Sequence, residues 1–319
     1  MKVVYITGCL GFIGAYVTRE CLNKGWLVYG IDKCTYAADP SLLDEFNQYD
    51  NFRFEKKDIK EISTLKDCDY VINIAAESHV GNSIIDSEVF INSNVVGVQN
   101  LLELIRQKPE NCFRRPVFLH FSTDEVYGDI IDGEHFETDI LKPSNPYSAS
   151  KACADMLIFA WARTYGIEYN IIRPTNNYGI GQYPEKLIPL SIKNLQRNRK
   201  IRLHNGGTPI RNWLHAADTA AAVVAIIESG QTNEIYNVAG GFGQKNITTV
   251  SKIIENYYKD AMPYSDWKEL IDFSYSREGQ DVRYALNDDK LRQIGWAPTK
   301  IFDEEIVKIV NFYRNKIIW

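Results

Sequence analysis

Two side chains four residues apart suit the oxidation of an alcohol. Tyr147 and Lys151 fall in a predicted helix, so they share one of its faces. A tyrosine in this position can take the proton of an alcohol while a cofactor takes the hydride. The pKa of a free tyrosine is about 10, and the Lys151 ammonium together with a cationic cofactor is expected to lower it. The pair therefore indicates dehydrogenase chemistry.

A second motif adds an acid beside a base. Thr123, Asp124 and Glu125 follow a predicted buried strand, at the sheet edge where such folds bind ligands. The Thr123 hydroxyl can bind the oxygen that is oxidised. Adjacent carboxyl groups push their pKa values apart, which leaves one of them protonated. The motif thus suits removal of water from an oxidised product; the alternative is that both acids only favour a helix N-terminus.

The cofactor is predicted from glycines and one carboxylate. Gly8, Gly11 and Gly14 stand between a strand and a helix, where a backbone can approach a pyrophosphate. Asp32 ends the second strand and can bind both hydroxyls of an adenosine ribose, whereas it would repel a 2′-phosphate. Lys33 is the residue that would tolerate such a phosphate. We expect NAD rather than NADP; the alternative is that the glycines only form a tight turn.

Further residues are expected to line the same cofactor site. Asp58 and Ile59 follow the third strand and are placed to flank an adenine, although Asp58 could instead cap a helix. Small residues end the fourth strand, where a cofactor could pass close to the backbone. The remaining members of the predicted cofactor site are Phe12, Ile13, Cys34, Thr35, Ile74, Ala75, Ala76 and Ser78, in addition to Tyr147 and Lys151.

The elements that position these residues alternate between strands and helices. Alternation of this kind predicts an α/β fold with a doubly wound, Rossmann-type parallel sheet. Residues 1–175 are expected to form the NAD-binding domain that carries the catalytic residues, with some later segments returning to it. Glycine and proline then become frequent, so residues 176–319 are expected to form mainly a smaller substrate-binding lobe.

Composition excludes several classes of protein. The 319-residue chain has a net charge of −5, so we expect no nucleic-acid partner. Its six cysteines are scattered, which predicts neither a metal site nor a disulfide framework. The N-terminal residues enter a strand directly, and no apolar run has the length of a membrane span. We expect a cytoplasmic protein with no membrane partner.

These motifs resemble the extended short-chain dehydrogenase/reductase family, and within it the nucleotide-hexose 4,6-dehydratases. The likeness covers nearly the whole chain and is most specific at the paired acids, since related epimerases and decarboxylases usually lack an acid at position 124. It is carried by the sequences DKCTYA (residues 32–37), AAESHV (75–80), STDEVYG (122–128), NNYG (176–179), PEKLIP (184–189) and RNWL (211–214).

The resemblance implies a three-step cycle. Tyr147 would take the C4 hydroxyl proton while a hydride passes to NAD⁺. Glu125 would then remove the acidified C5 proton as Asp124 protonates the departing C6 hydroxyl. The hydride would return to C6, giving a 4-keto-6-deoxyhexose and unchanged NAD.

The resemblance also implies a substrate site and an assembly. The implied substrate-binding residues are Ser78, Thr123, Asn176, Lys186, Leu187, Arg211, Asn246 and Arg277, with Ser93 and Asn177 on the cofactor. A homodimer would form through helices near residues 89–106 and 147–165. The chain departs from the family pattern at Asn212 and over 276–280. These departures leave open dTDP-glucose, UDP-glucose or another NDP-hexose as substrate, and a 4-epimerase remains the alternative activity.

Overall fold

The computed structural model describes residues 1–108, 115–259, 261, 266–276 and 281–316. Their strands are β1 (Val3–Thr7), β2 (Leu27–Asp32), β3 (Phe52–Lys56), β4 (Tyr70–Asn73), β5 (Val117–Phe121), β6 (Tyr169–Pro174), β7 (Asn176–Tyr178), β8 (Ile201–Arg202), β9 (Ile210–His215), β10 (Glu234–Val238), β11 (Gly243–Lys245) and β12 (Ile271–Asp272).

The helices cover the sheet and build the second lobe. They are α1 (Phe12–Asn23), α2 (Leu42–Phe46), α3 (Val80–Ile85), α4 (Glu88–Ile91), α5 (Gly97–Arg106), α6 (Pro146–Tyr165), α7 (Leu187–Gln196), α8 (Ala216–Ser229), α9 (Asn246–Tyr258), α10 (Asp289–Gln293) and α11 (Phe302–Arg314). A π-helical turn at Asn92–Val96 joins α4 to α5, so the region expected to be helical near residues 89–106 is helical throughout.

The central sheet is parallel, with the strand order β10-β6-β5-β4-β1-β2-β3. Both of its faces are buried, as parallel sheets require. Val4 and Ile6 of β1 pack into one core with α1 and α8, while Tyr5 packs into a second core with α5 and α6. Because β1 lies between β2 and β4, the order reverses there and opens a crevice at the strand ends. The predicted doubly wound α/β fold is confirmed.

A smaller sheet and three helices form the second lobe. Strands β11, β9 and β7 form this sheet, and α7, α9 and α11 pack together beside it. Ile188, Val250 and Ile306 are buried in their shared core. Two later elements return to the first domain: α8 packs against α1, and β10 pairs with β6 along the edge of the central sheet.

Two features are absent from the residues that the structure describes: a membrane-spanning helix and a metal-ligand cluster. Within them, no helix combines the length and apolar character needed to cross a bilayer. The same residues contain no cluster of three His, Cys, Asp or Glu side chains arranged to hold a metal ion. Cys9, Cys21, Cys34, Cys68 and Cys153 are free thiols, and Cys112 lies outside the described residues.

Candidate active site

The glycine loop after β1 lies in the crevice of the central sheet. Gly8 has a φ of +72°, and a Cβ there would stand 2.7 Å from the backbone nitrogen of Ala75. A Cβ at Gly14 would overlap the carbonyl oxygen of Gly8, because α1 starts directly under the turn. Only glycine fits at these two positions, so the backbone surface stays open at the start of α1, where a pyrophosphate binds.

Gly14→Ala should close this surface. The new methyl group must push the Gly8 turn away from α1, at a cost of about 1–3 kcal/mol in unfolding free energy. We expect a lower melting temperature and at least about tenfold weaker dinucleotide binding in calorimetry. Gly11→Ala is the matched control, because its Cβ would stand 3.3 Å from the same oxygen. Equal effects of the two substitutions would contradict this account.

Asp32 is held by two backbone donors at the end of β2. Its carboxylate oxygens accept hydrogen bonds from the backbone nitrogens of Leu10 at 3.0 Å and Cys34 at 2.8 Å. Burial raises the pKa of Asp32, and these two hydrogen bonds act in the opposite direction. The carboxylate is thereby fixed in the orientation in which it faces the cleft.

Lys33 is engaged by two acids. Its Nζ lies 3.8 Å from Asp58 Oδ2 and 3.7 Å from Glu77 Oε1. A phosphate on the ribose would have to share this cation with both acids and would also meet Asp32. The surroundings of Lys33 therefore favour a ribose with free hydroxyls over one with a 2′-phosphate.

Most residues of the predicted cofactor site line one cleft. They are Gly8, Gly11, Phe12, Ile13, Gly14, Asp32, Lys33, Thr35, Asp58, Ile59, Ile74, Ala75, Ala76, Ser78, Ser93, Tyr147, Lys151 and Asn177.

Three of the predicted cofactor residues also serve the fold. Cys34 is absent from the cleft lining: it has a φ of +58°, and its side chain packs toward the core. Asp58 caps a short helix by accepting from the backbone nitrogen of Lys60 at 3.1 Å. Asn177 accepts a 2.6 Å hydrogen bond from Thr219. For Asp58 the helix-capping alternative thus coexists with a place beside the cleft.

The paired acids open a short 3₁₀ helix after β5. The Thr123 hydroxyl caps this helix by accepting from the Glu125 backbone nitrogen at 3.3 Å, and it lies 3.1 Å from Asp124 Oδ1. Thr175 donates to the other Asp124 oxygen at 3.0 Å. The capping is therefore done by Thr123, which leaves both carboxyl groups for other contacts.

Asp124 is poised between its two protonation states near neutral pH. Its side chain is almost fully buried. Burial, with a smaller contribution from the Glu125 charge, raises the pKa of Asp124 to about 7. The same physical cause, burial, raises the pKa of Glu125, but hydrogen bonding from Asn145 and the charges of Arg211 and Lys186 oppose it. The two neighbours are thus differently prepared, as an acid–base pair requires.

Tyr147 and Lys151 lie one turn apart near the start of α6. Burial raises the pKa of Tyr147, and the charges of Glu125 and Asp124 raise it further, whereas a hydrogen bond with Thr123 lowers it. The lowering expected from Lys151 together with a cationic cofactor stays a prediction. Lys151 is itself buried, which lowers its pKa to about 8. A pKa of about 8 still leaves Lys151 mostly charged at neutral pH.

A buried polar chain behind Lys151 was not predicted. His120 Nε2 lies 3.2 Å from Lys151 Nζ, and His120 Nδ1 lies 3.0 Å from the Asn73 amide nitrogen. The Asn73 oxygen accepts from Thr7 at 2.6 Å. Burial and the Lys151 charge hold the pKa of His120 well below its usual range, so its ring is neutral. The signal available in the sequence was a polar residue in each of three apolar strands.

The residues expected to bind substrate fall into two groups. Ser78, Thr123, Asn176 and Lys186 line the cleft. Leu187, Arg211 and Asn246 do not line it, although Leu187 starts α7 directly after Lys186. Arg277 lies outside the described residues. Within the described part of the chain, the side-chain oxygens of Asn176 and Asn246 are buried without a hydrogen-bond partner.

Arg211 is buried rather than part of a surface ion pair. Its guanidinium donates to the carbonyl oxygens of Ile210 at 2.8 Å and Asp281 at 3.0 Å, and it stacks over the Tyr284 ring at 4.7 Å. These contacts fix the plane of the guanidinium beside the segment that follows the undescribed residues 277–280.

The loop between β7 and α7 (residues 179–186) covers part of the cleft from the second lobe. Lys186 donates to the backbone oxygen of Ser78 at 3.0 Å, and the Tyr36 hydroxyl donates to Glu185 at 3.2 Å. The rings of Tyr36 and Tyr183 meet edge to face at 5.2 Å. Glycines and a proline in this loop gave no sequence signal for these contacts, which depend on the docking of the two lobes.

The comparisons with known proteins agree with this geometry. The family model described as GDP-mannose 4,6 dehydratase matches residues 5–309. The chain belongs to this family. The dTDP-glucose 4,6-dehydratase of Neisseria meningitidis serogroup B is 38% identical, over 100% of this chain and 95% of that protein. The prediction of an extended short-chain dehydrogenase/reductase of the nucleotide-sugar 4,6-dehydratase type, and hence of a lyase, is confirmed.

A solved dehydratase structure shares this fold over nearly the whole chain. A dTDP-glucose 4,6-dehydratase from Streptomyces venezuelae with NAD bound superposes with a TM-score of 0.91 at 33% identity, covering 98% of this chain and 97% of that one. A UDP-glucose 4-epimerase from Thermotoga maritima reaches a TM-score of 0.84, covering 98% of each chain, but at 23% identity it shows the fold alone.

Proposed function

We propose that this dehydratase converts an NDP-hexose, first of all dTDP-glucose, into the NDP-4-keto-6-deoxyhexose and water, using NAD. The observation that carries the proposal is the buried Asp124 and the half-buried Glu125, which lie with Tyr147 in one cleft. An epimerase needs the tyrosine and a cofactor but has no use for a second acid whose pKa lies near 7. Elimination of water needs both an acid and a base.

The cleft fits NAD on the observations given above. Gly8 and Gly14 leave a backbone cradle that a Cβ would fill, and the Asp32 carboxylate faces the position of an adenosine ribose. Lys33, held between Asp58 and Glu77, supports NAD over NADP. When bound, NAD⁺ supplies the hydride acceptor and a positive charge next to Tyr147.

Each catalytic side chain then has one role. Tyr147 accepts the C4 hydroxyl proton, and the Thr123 hydroxyl orients the C4 oxygen. Glu125 takes the C5 proton once C4 is a ketone. Asp124, as a neutral carboxylic acid, gives its proton to the C6 hydroxyl so that water can leave. Lys151 orients the cofactor and the tyrosine from the neighbouring turn of α6.

The substrate extends from the cleft toward the second lobe in this proposal. Ser78, Asn176 and Lys186 contact the hexose and its diphosphate, because they line the cleft next to the acids. Leu187, Arg211, Asn246 and Arg277 bind the nucleotide beyond it. Residues 1–175 accordingly form the NAD-binding domain, and residues 176–319 form mainly the sugar-nucleotide lobe. We also propose that the enzyme works in the cytoplasm.

Mass spectrometry after incubation with dTDP-glucose and with UDP-glucose in deuterated water tests the proposal. Loss of one water with one solvent deuteron gained at C5 is the expected result, and the faster substrate identifies the base. A product of unchanged mass whose C4 configuration is inverted in its NMR spectrum would assign a 4-epimerase instead. Intact substrate with every NDP-hexose tried would overturn the proposal.

The protein is further proposed to be a homodimer through α4 to α5 and α6. Val89, Val96 and Met156 are exposed apolar residues on these helices, at 43%, 40% and 49% exposure. Introducing charges with Val89→Glu and Met156→Glu together should shift the sedimentation mass from dimer to monomer. Ile301→Glu is the control, because Ile301 is 59% exposed elsewhere. A parent protein that sediments as a monomer would contradict the assembly.

A further inference from the structure

The residue that starts the catalytic helix also contacts the paired acids. Asn145 is the N-cap of α6, which carries Tyr147 and Lys151, and only 9% of it is exposed. Its Nδ2 donates a 3.3 Å hydrogen bond to Glu125 Oε2. One side chain thus joins the helix of the tyrosine to the turn of the carboxylates.

The orientation of this amide is determined by the helix cap. Asn145 Oδ1 accepts the backbone N–H of Ser148 at 2.9 Å, and the Ser148 hydroxyl accepts the Asn145 backbone N–H at 3.2 Å. A backbone N–H can only donate, so the amide oxygen must face Ser148 and the NH₂ group must face Glu125. The contact with Glu125 is therefore a true donor–acceptor pair.

The residue type matters for this arrangement. Serine, threonine, aspartate and asparagine all cap helices well. Among them only asparagine carries the cap acceptor and a donor on two separate atoms, since serine and threonine must use one hydroxyl for both and ionised aspartate has no donor. The cap alone does not require asparagine at position 145, but a donor to Glu125 that is separate from the cap oxygen does.

We propose that Asn145 is a positioning residue that holds the Glu125 carboxylate in place and ionised for removal of the C5 proton. This inference rests on the proposed dehydratase function. In that step the C5–H bond breaks, its electron pair passes into the enolate of the C4 ketone, and the proton goes to Glu125. A donor on Oε2 stabilises the charged base before the step and leaves Oε1 for the proton.

Other groups that face Glu125 do not replace this donor. Arg211 on β9 and Lys186 before α7 favour the carboxylate through their charges, whereas Asp281 opposes it. The ionisation of Asp124, Tyr147 and Tyr284 is in turn disfavoured by the Glu125 charge. Burial raises the pKa of Glu125, and the side-chain hydrogen bond from Asn145 lowers it. Loss of this hydrogen bond should therefore raise the pKa of Glu125.

Asn145→Asp is the sharpest test, because it keeps the cap and the shape but replaces the donor with an acceptor. We expect C4 oxidation, followed by the absorbance of the reduced cofactor, to stay within about threefold of the parent rate, since the α6 cap is kept. Solvent-deuterium incorporation at C5 should fall by about tenfold to a hundredfold at neutral pH. The acid limb of its pH profile should move to higher pH.

Asn145→Ser is the second variant, since serine caps equally well but offers no N–H to Glu125. It should show a smaller loss at C5, because it adds no charge. If both variants lost C4 oxidation and C5 exchange equally, Asn145 would serve only the helix. Unchanged C5 exchange across pH in either variant would also overturn the inference.

A direct titration separates this inference from the proposed function. In protein labelled with ¹³C-carboxyl glutamate, the signal that disappears in Glu125→Gln identifies the Glu125 carboxyl carbon. Its midpoint should lie at higher pH in Asn145→Ser, which removes the amide N–H without adding a charge, than in the parent. If no nucleotide sugar is turned over, the proposed function falls while this titration still decides the contact. An unchanged midpoint would reject the positioning role.

Discussion

Tyr147→Phe should abolish oxidation at C4 while leaving the cleft intact. The substitution removes only the hydroxyl, and the ring still packs against Phe90, whose ring centre lies 6.3 Å away. Without the phenolic oxygen no group in contact with the C4 hydroxyl can accept its proton, because Thr123 is a poor base. We expect the rate of C4 oxidation to fall by about 10²- to 10⁴-fold. Single-turnover absorbance of the reduced cofactor measures this step.

The control for this variant is binding. Dinucleotide and nucleotide-sugar affinity, measured by calorimetry, should stay near the parent values, because Tyr147 contributes its proton transfer rather than a large contact area. Formation of reduced cofactor at the parent rate would show that another group takes the C4 proton. Loss of affinity together with rate would instead indicate that the ring supports the site.

Asp124→Asn should separate oxidation from elimination. The amide has the shape of the neutral acid and can keep its contact with Thr175, but its NH₂ group is too weakly acidic to protonate the C6 hydroxyl. C4 oxidation should continue, so reduced cofactor and the 4-keto-hexose should accumulate. Loss of water, followed by mass spectrometry, should slow by about 10²- to 10⁴-fold. Release of dehydrated product at the parent rate would show that Asp124 is not the acid.

The same assignment predicts a pH dependence for the parent enzyme. The folded-state pKa of Asp124 is raised to about 7, so its acid form is present below that pH and is lost above it. The elimination rate should therefore decline as the pH rises past about 7 and should have no such limb in Asp124→Asn. A decline at the same pH in this variant would assign the limb to another group.

The central sheet could be predicted because its strands are short runs of mostly apolar residues. The strands at residues 117–121 and 3–6 were predicted correctly from their apolar side chains. The helix over 147–165 was also predictable, because it has the cap, proline and glycine that define its ends. The sheet β11-β9-β7 of the second lobe and the short pair of β8 with β12 were not predicted. Their strands are two to six residues long, and β9 with β11 is held by pairing that the local sequence does not specify.

The candidate site was predictable where a motif ends a strand. Asp32, Thr123 and Asp124 follow apolar strands, so the carboxyl-edge rule was enough to bring them together. The raised pKa of Tyr147 was not predicted, because it comes from burial and from the charges of Glu125 and Asp124, and burial depends on the whole fold. His120 and Asn145 contact the motif residues Lys151 and Glu125, but these contacts form only when the chain has folded.

The place of β10 determines when the nucleotide-binding domain can be completed during synthesis. Residues 234–238 pair along β6, so the edge of β6 remains open until about three-quarters of the chain has left the ribosome. Ile171 and Ile172 are fully buried in the finished protein. A nascent chain that stops near residue 175 would present this strand edge to other chains, where it could pair and aggregate. Translation speed through residues 176–238 thus sets how long the growing chain needs protection.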